Sequence, residues 1–241
     1  MEYISEFKLA KIVLFEMGQL INQKDHKSVL SSIGKDVKLA LDIEIDNLVV
    51  KKLSQNYTHP ILSEENGLNK QLIEQSPYWI LDPIDGSMNL TRGIPHSCIS
   101  LAFWIGQEPI FGVIYNYNHN EMVSGYIGQG AWLNDSAIYE VKPVAVNQSI
   151  LATGIPKDMD FSKKNEMNFI QKLKQYKKIR MFGSAAISLS YVALGRVDAY
   201  FEQNIKLWDV AAGIAILKAL NKTPNKYALK EDYLVDLEIS N

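Results

Sequence analysis

Cysteine is almost absent from this chain of 241 residues: Cys98 stands alone, so no internal disulfide and no cysteine-built zinc site can form. A single cysteine fits a reducing compartment. The four histidines are too scattered to make a histidine-based metal motif. Neither sign of charge dominates, with 25 Lys plus Arg against 27 Asp plus Glu, so no basic surface for a nucleic-acid polymer is expected. No apolar run approaches the roughly 18 residues that a membrane span requires. The opening MEYISEFKLAKIVLF mixes acids with bases inside its first apolar stretch, unlike a secretory signal, and a cytoplasmic protein is expected. Repeats, low-complexity tracts and Pro/Gly/Ser-rich linkers are missing too. What is present, 47% hydrophobic and 22% charged residues, is ordinary globular usage. A chain this long buries roughly three quarters of its unfolded surface without staples.

Periodicity divides the chain into helical and extended stretches. Leu9, Ile12, Val13, Met17, Leu20 and Ile21 recur at helical spacing, as do Leu41, Ile45, Leu48, Val49 and Leu53. Residues 78–81, Tyr-Trp-Ile-Leu, read as a buried strand stopped by Asp-Pro and Asp-Gly. From Ser97 to Leu133 the runs SCISLAFWIG, PIFGVIYN, EMVSGYIG and AWLND predict a strand meander. A polar, Lys-rich surface helix is expected over 158–178, and a second helix from Ser184 to Gly195 with a serine N-cap and a glycine at its C-terminal end. The strand VDAYFE and a helix over Trp208–Leu220 follow. Helices and strands intermix throughout, which predicts a mixed α/β protein forming one catalytic domain over 1–241, with lobes of about 1–140 and 141–241.

Acids gather at the ends of these elements. Asp82 and Asp85 bracket Pro83 and Ile84 at the end of a buried strand, with Gly86 and Ser87 next. In isolation this is a turn, because Asp, Pro and Gly form turns. The alternative is a hard-cation site: carboxylates about 4 Å apart repel by roughly 4 kcal/mol per pair at an effective dielectric of 20, so converging acids need protons or cations. Magnesium suits such oxygen ligands, while Gly86 and a following helix start would offer N–H groups to an anion. Glu64 and Glu65 end another apolar run, where a solvated loop is the plain reading. For Asp42 and Asp209, helix capping is the plain reading. Their occurrence in order, each at an element end, favours metal-assisted phosphoryl chemistry.

ILSEE at 61–65, WILDPIDGSMN at 79–89 and WDVAAG at 208–213 resemble, in order and spacing, the three motifs of the inositol monophosphatase family of magnesium-dependent, lithium-sensitive phosphomonoesterases. The resemblance spans about residues 30–220, including Asp42, the GVIY strand, the turn at 183–186 and Glu202. It implies an α/β fold, a layered αβαβα sandwich of the inositol monophosphatase/fructose-bisphosphatase type, with two or three Mg2+ ions per site. In that pattern Glu64, Asp82 and the carbonyl of Ile84 hold one ion, and Asp82, Asp85 and Asp209 a second. Asp42 and Ser87 orient the attacking water. Gly86 and Ser87 offer backbone N–H groups to the phosphate, and Gly183, Ser184, Ala185 and Glu202 contact the alcohol. The expected partner is a small-molecule phosphate ester, with no membrane, and a homodimer is left open.

Three departures stand out. Serine replaces the family's usual threonine at Ser87, keeping the hydroxyl but losing the β-methyl that fixes its rotamer. Lys38-Leu39 stands where the family often shows Val-Thr. After the last helix, NKTPNKYALKEDYLVDLEISN replaces the family's Gly-Gly turn and further strand and helix, so an altered C-terminal edge is expected. The leading expectation is a phosphatase of a small polyol or sugar phosphate. A 3′(2′),5′-bisphosphate nucleotidase, a fructose-bisphosphatase or histidinol-phosphatase, and a non-catalytic relative are the alternatives.

Overall fold

The computed structural model describes residues 2–24, 29–33, 36–70, 75–139, 141–155 and 162–241. Helix α1 (Ile4–Asn22) is followed by a hairpin of β1 (Val29–Ile33) and β2 (Asp36–Leu39), then by α2 (Ala40–Asn56). An eight-stranded sheet comes next: β3 (Ile61–Ser63), β4 (Gly67–Leu68), β5 (Pro77–Asp85), β6 (Cys98–Ile105), β7 (Glu108–Asn116), β8 (Glu121–Tyr126), β9 (Gly130–Leu133) and β10 (Ser136–Ala137), with the short α3 (Ser87–Thr91) between β5 and β6. From β5 to β10 each strand pairs antiparallel with the next, the meander that the sequence predicts.

The second sheet has five strands and is mixed. Strands β11 (Ile150–Thr153), β12 (Lys178–Arg180), β13 (Ala199–Lys206), β14 (Lys226–Leu229) and β15 (Leu234–Ser240) lie in the order β12-β11-β13-β15-β14. Helices α4 (Lys163–Leu173), α5 (Ala185–Ala193) and α6 (Leu207–Ala219) connect them. Residues 158–161 of the expected surface helix lie outside the described residues, and the helix itself starts at Lys163. The tail beyond α6 supplies the C-terminal edge as two strands, β14 and β15, pairing on from β13.

Alternation along β5 explains the layering. Trp79 and Leu81 enter one core with α1 and α2, while Tyr78 and Ile80 enter the other with α5 and α6. Both faces are buried, so the strand reads as a continuous apolar run rather than an alternating one. Tyr200, Val235, Leu237 and Ile239 of the second sheet close that second core from the far side. With α4 resting its Phe169 ring 6.4 Å from Phe201, the layers run helices, sheet, helices, sheet, helix. Helix α6 sits unusually close to the first sheet: a Cβ at Gly112 would run into the Ala212 carbonyl, and one at Gly125 would come within 2.7 Å of the Ile216 Cα. That approach fixes the height of the first turn of α6.

Candidate metal and phosphate-ester site

Strand β5 does not stop at Leu81. It continues through Asp85, and its register against β6 slips, with Asp82 opposite Ser100 but Asp85 opposite Cys98. One extra residue is therefore accommodated on β5, at a point where Pro83 has no N–H to pair. In a regular strand, residues three apart face opposite sides; the extra residue lets Asp82 and Asp85 serve the same end of the sheet. The stop signals in the sequence mark this bulge, not the end of the strand.

Glu64 arrives from the neighbouring parallel strand, its N–H donating to the Leu81 carbonyl at 3.2 Å beside Asp82. Asp209 is in the first turn of α6, where the positive end of the helix favours an acid. One carboxylate oxygen from each of Glu64, Asp82 and Asp209 lies within 4.8 Å of the other two. Asp85 faces the same cleft, its carboxylate accepting hydrogen bonds from the Ser184 hydroxyl at 2.7 Å and the Ala186 N–H at 2.6 Å. Ser184 is the N-cap of α5, accepting from the Ile187 N–H at 3.1 Å.

Burial and like charge push these acids toward their neutral forms. Burial, then Glu64, Asp85 and Asp209, raises Asp82 well above the usual carboxylate range. Burial, then Glu64, Asp85 and Glu202, does the same to Asp209. Glu64 is exposed as a residue, yet its carboxyl end turns into the acid group, and desolvation followed by Asp42, Glu65 and Asp85 pushes it up to about 8. Asp85 goes up to about 6, desolvation outweighing its hydrogen bonds. Hard oxygen donors crowded in this way fit a divalent cation such as magnesium.

Asp42 is in the first turn of α2 and is buried. The Ser87 hydroxyl lies 3.1 Å from Asp42 Oδ1 and 2.9 Å from the Ile84 carbonyl. Gly86 precedes it in the left-handed region at φ 89°, and a Cβ there would come within 2.6 Å of the His96 carbonyl. Across the cleft, Gly183 has φ 71° and leads into Ser184 and Ala185. Glu202 Oε2 accepts a 2.8 Å hydrogen bond from the Tyr200 hydroxyl, and burial pushes Glu202 up to about 7. A cleft of about 570 Å³ is lined by Glu64, Asp85, Ser184, Glu202 and Asp209 among others. Asp82 borders it through Glu64 and Asp209, and the Ile84 N–H donates to Asp82 Oδ1 at 3.1 Å, which ties Ile84, Ser87 and Asp42 to the acids; Gly86 lies between Asp85 and Ser87.

A family model described as the inositol monophosphatase family matches residues 3–231. The chain belongs to that family. A relative from Xylella fastidiosa named Nus factor SuhB is 36% identical over 202 residues, 82% of this chain and 72% of the relative. The inositol-1-monophosphatase of Bacillus subtilis is 29% identical over 220 residues, 90% of this chain and 83% of its own. The solved inositol monophosphatase of Anabaena superposes with a TM-score of 0.85 at 28% identity, over 99% of this chain and 92% of that one. Family membership supports metal-dependent phosphatase chemistry and leaves the alcohol open.

Sequence reasoning missed two residues. Asn89 of the SMNL stretch donates to the carbonyls of His96 and Phe182, both at 2.7 Å, tying the β5–α3 corner to the loop before Gly183. Lys206 lines the cleft as the last residue of β13 and the N-cap of α6. An asparagine inside a motif is visible, but its long-range partners are not. A lone lysine three residues before Asp209 carries no signal in the sequence.

Proposed function

We propose that this chain is a metal-dependent phosphomonoesterase that hydrolyses a small polyol or sugar phosphate, such as inositol 1-phosphate, by attack of water. The observation that carries the reading is the convergence of Glu64, Asp82 and Asp209 within 4.8 Å in a cleft that also receives Asp85 and Glu202. Glu64, Asp82 and the Ile84 carbonyl would hold one Mg2+, and Asp82, Asp85 and Asp209 a second; the family resemblance admits a third. When bound, magnesium makes a coordinated water more acidic and stabilises charge on the attacking and leaving oxygens.

The residues of the chain do the rest. The Ser87 hydroxyl has one proton and two acceptors in reach, Asp42 and the Ile84 carbonyl, so Asp42 helps fix which way it points. The remaining lone pairs on the Ser87 oxygen accept a hydrogen bond from the attacking water. The N–H groups of Gly86 and Ser87 hold phosphate oxygens. Gly183, Ser184 and Ala185 wall the alcohol side, and Glu202 accepts hydrogen bonds from substrate hydroxyls. The water oxygen bonds to phosphorus as the bond from phosphorus to the alcohol oxygen breaks. The water proton leaves through Ser87 and Asp42, and the alcohol oxygen takes a proton from solvent. No phosphoenzyme is needed.

Since both sheets contribute to the cleft, the whole of 1–241 is read as one catalytic unit. Among the described residues no helix is long and apolar enough to cross a membrane, in keeping with a freely diffusing substrate. A non-catalytic role is disfavoured because Asp42, Glu64, Asp82, Asp85 and Asp209 are all present. The test is phosphate release from inositol, hexose, heptose and nucleotide phosphates, with magnesium, with a chelator, and with lithium at tens of millimolar. Release that needs magnesium and is suppressed by lithium is the expected result. Preference for a 3′,5′-bisphosphate nucleotide would move the chain to the nucleotidase reading, and no release from any compound would overturn the proposal.

A further inference from the structure

The cleft is acidic except at one place. Of the charged side chains that line it, Glu64, Asp85, Glu202 and Asp209 are acids, and among the described residues Lys206 is the only cation. Its position is set by the fold. Strand β13 slips in register between Glu202 and Ile205 against β15, with Asn204 in the left-handed region at φ 54°, and then passes into α6 through Lys206. The Lys206 ammonium is 5.4 Å from the centroid of the Trp208 ring, which it overlies, and donates to the Asp232 carbonyl at 2.9 Å. That carbonyl and the ring are neutral. Among the described residues no carboxylate lies within ion-pairing distance of Lys206, although four acids line the same cleft. Two of its three N–H donors remain for a ligand.

A lysine held in this way, on the wall shared with Glu202, has a chemical consequence. The cation that Glu64, Asp82 and Asp209 would hold would offset one phosphate, but a second anionic group on the alcohol would meet Glu202 and be repelled. Lys206 supplies the opposite charge on the alcohol side of the cleft. We infer that Lys206 is a specificity residue that binds a second negatively charged group, phosphate or carboxylate, on the alcohol portion of the substrate. This deepens the phosphomonoesterase reading and rests on it: the preferred substrate then carries two anionic groups rather than one.

The experiment compares fructose 1,6-bisphosphate and 3-phosphoglycerate, which carry a second phosphate and a carboxylate, with inositol 1-phosphate, which carries neither. In Lys206→Met, which keeps the aliphatic stem over Trp208, the ratio of kcat/KM for the better doubly anionic compound to that for inositol 1-phosphate should fall about ten- to hundred-fold, the loss of a charge-assisted bond. The change should appear mainly in KM. Lys206→Arg should keep most of the ratio. The compound that loses more identifies the anion. An unchanged ratio, or an equal fall on all three compounds, would overturn the inference, since a merely structural lysine would lower them together. If the wild type hydrolyses none of the three and none of the phosphates screened above, the phosphatase reading falls. Calorimetric titration of the same compounds into wild type and Lys206→Met, with magnesium present, then reads the lysine alone: a ratio of affinities that does not move would overturn it there too.

Discussion

Two one-residue bulges face each other across the cleft, and they are built differently. On β5 the slip between Asp82 and Asp85 contains Pro83 and leads into Gly86, so proline and glycine within five residues specify it locally. On β13 the slip between Glu202 and Ile205 contains Gln203 and Asn204 and depends on distant partners. The Asn204 N–H donates to Asp236 at 3.0 Å, and Lys230 donates to the Asn204 side chain at 2.6 Å. The bulge beside the acid cluster is thus encoded within a short motif, although Glu64 and Asp209 join it from other elements, whereas the bulge on β13 is supported by a segment some 30 residues away. A motif shared across a family can therefore preserve the reaction while the alcohol side changes.

Asp82→Asn attacks the locally encoded side and should have the largest effect, a loss of about a thousand-fold or more in kcat that added magnesium does not restore. Near wild-type turnover in saturating magnesium would remove Asp82 from the role of shared ligand. Ser87→Ala, on the same side, should lower kcat about a hundred-fold while leaving the magnesium requirement unchanged. Rate recovery at high magnesium would make Ser87 a ligand-supporting residue instead.

On the opposite wall, Glu202→Gln keeps an acceptor for the Tyr200 hydroxyl but removes the charge. It should cost about ten-fold in kcat/KM on inositol 1-phosphate and much less on para-nitrophenyl phosphate, which has no hydroxyls to donate. Equal losses would point to an electrostatic role and blur the contrast between the two walls.

The metal-free protein offers a test in pH. Glu64, Asp85 and Glu202 have folded-state values raised to about 8, 6 and 7. The folded state therefore holds more protons than the unfolded chain, and stability falls as pH rises. With chelator present, Tm should drop by several degrees between about pH 5 and 8, and magnesium should flatten that slope at its upper end. A Tm that rises over this window without metal would mean that the acids are not crowded in solution. The smallest effect is expected from Asp236→Asn, which weakens the support of the β13 bulge: about 1 kcal/mol of stability and a rise of about three-fold in KM, with kcat kept. A fall in kcat instead would couple the distant support to the chemistry.

What could be read from the sequence follows the same division. The meander from β6 to β9 and helices α1, α2, α5 and α6 are visible because period-two and period-3.6 patterns are local. The four acidic segments are visible because each stands at the end of an element, those at 64–65 and 82–85 after an apolar run and Asp42 and Asp209 at a helix start. The hairpin of β1 and β2, the extension of β5 through Asp85 and the two C-terminal strands are not. KYAL is too short to carry a pattern; the tail from Leu234 does alternate Val235, Leu237 and Ile239 with polar residues, and what stays hidden is its pairing with β13 and β14. The bonds of Asn89 and the place of Lys206 are equally hidden, since each depends on what a remote loop brings near.

The hydrogen bond from the Ala186 N–H to Asp85 crosses 101 residues of chain. During synthesis the carboxylate exists long before the helix it caps, so α5 emerges toward an acceptor that the first sheet has already placed. Opening the chain between β10 and β11, in a circular permutation, would reverse that order and leave α5 to form before its acceptor is made. The permuted protein should reach the same final structure more slowly, with the delay assigned to the docking of one sheet on the other.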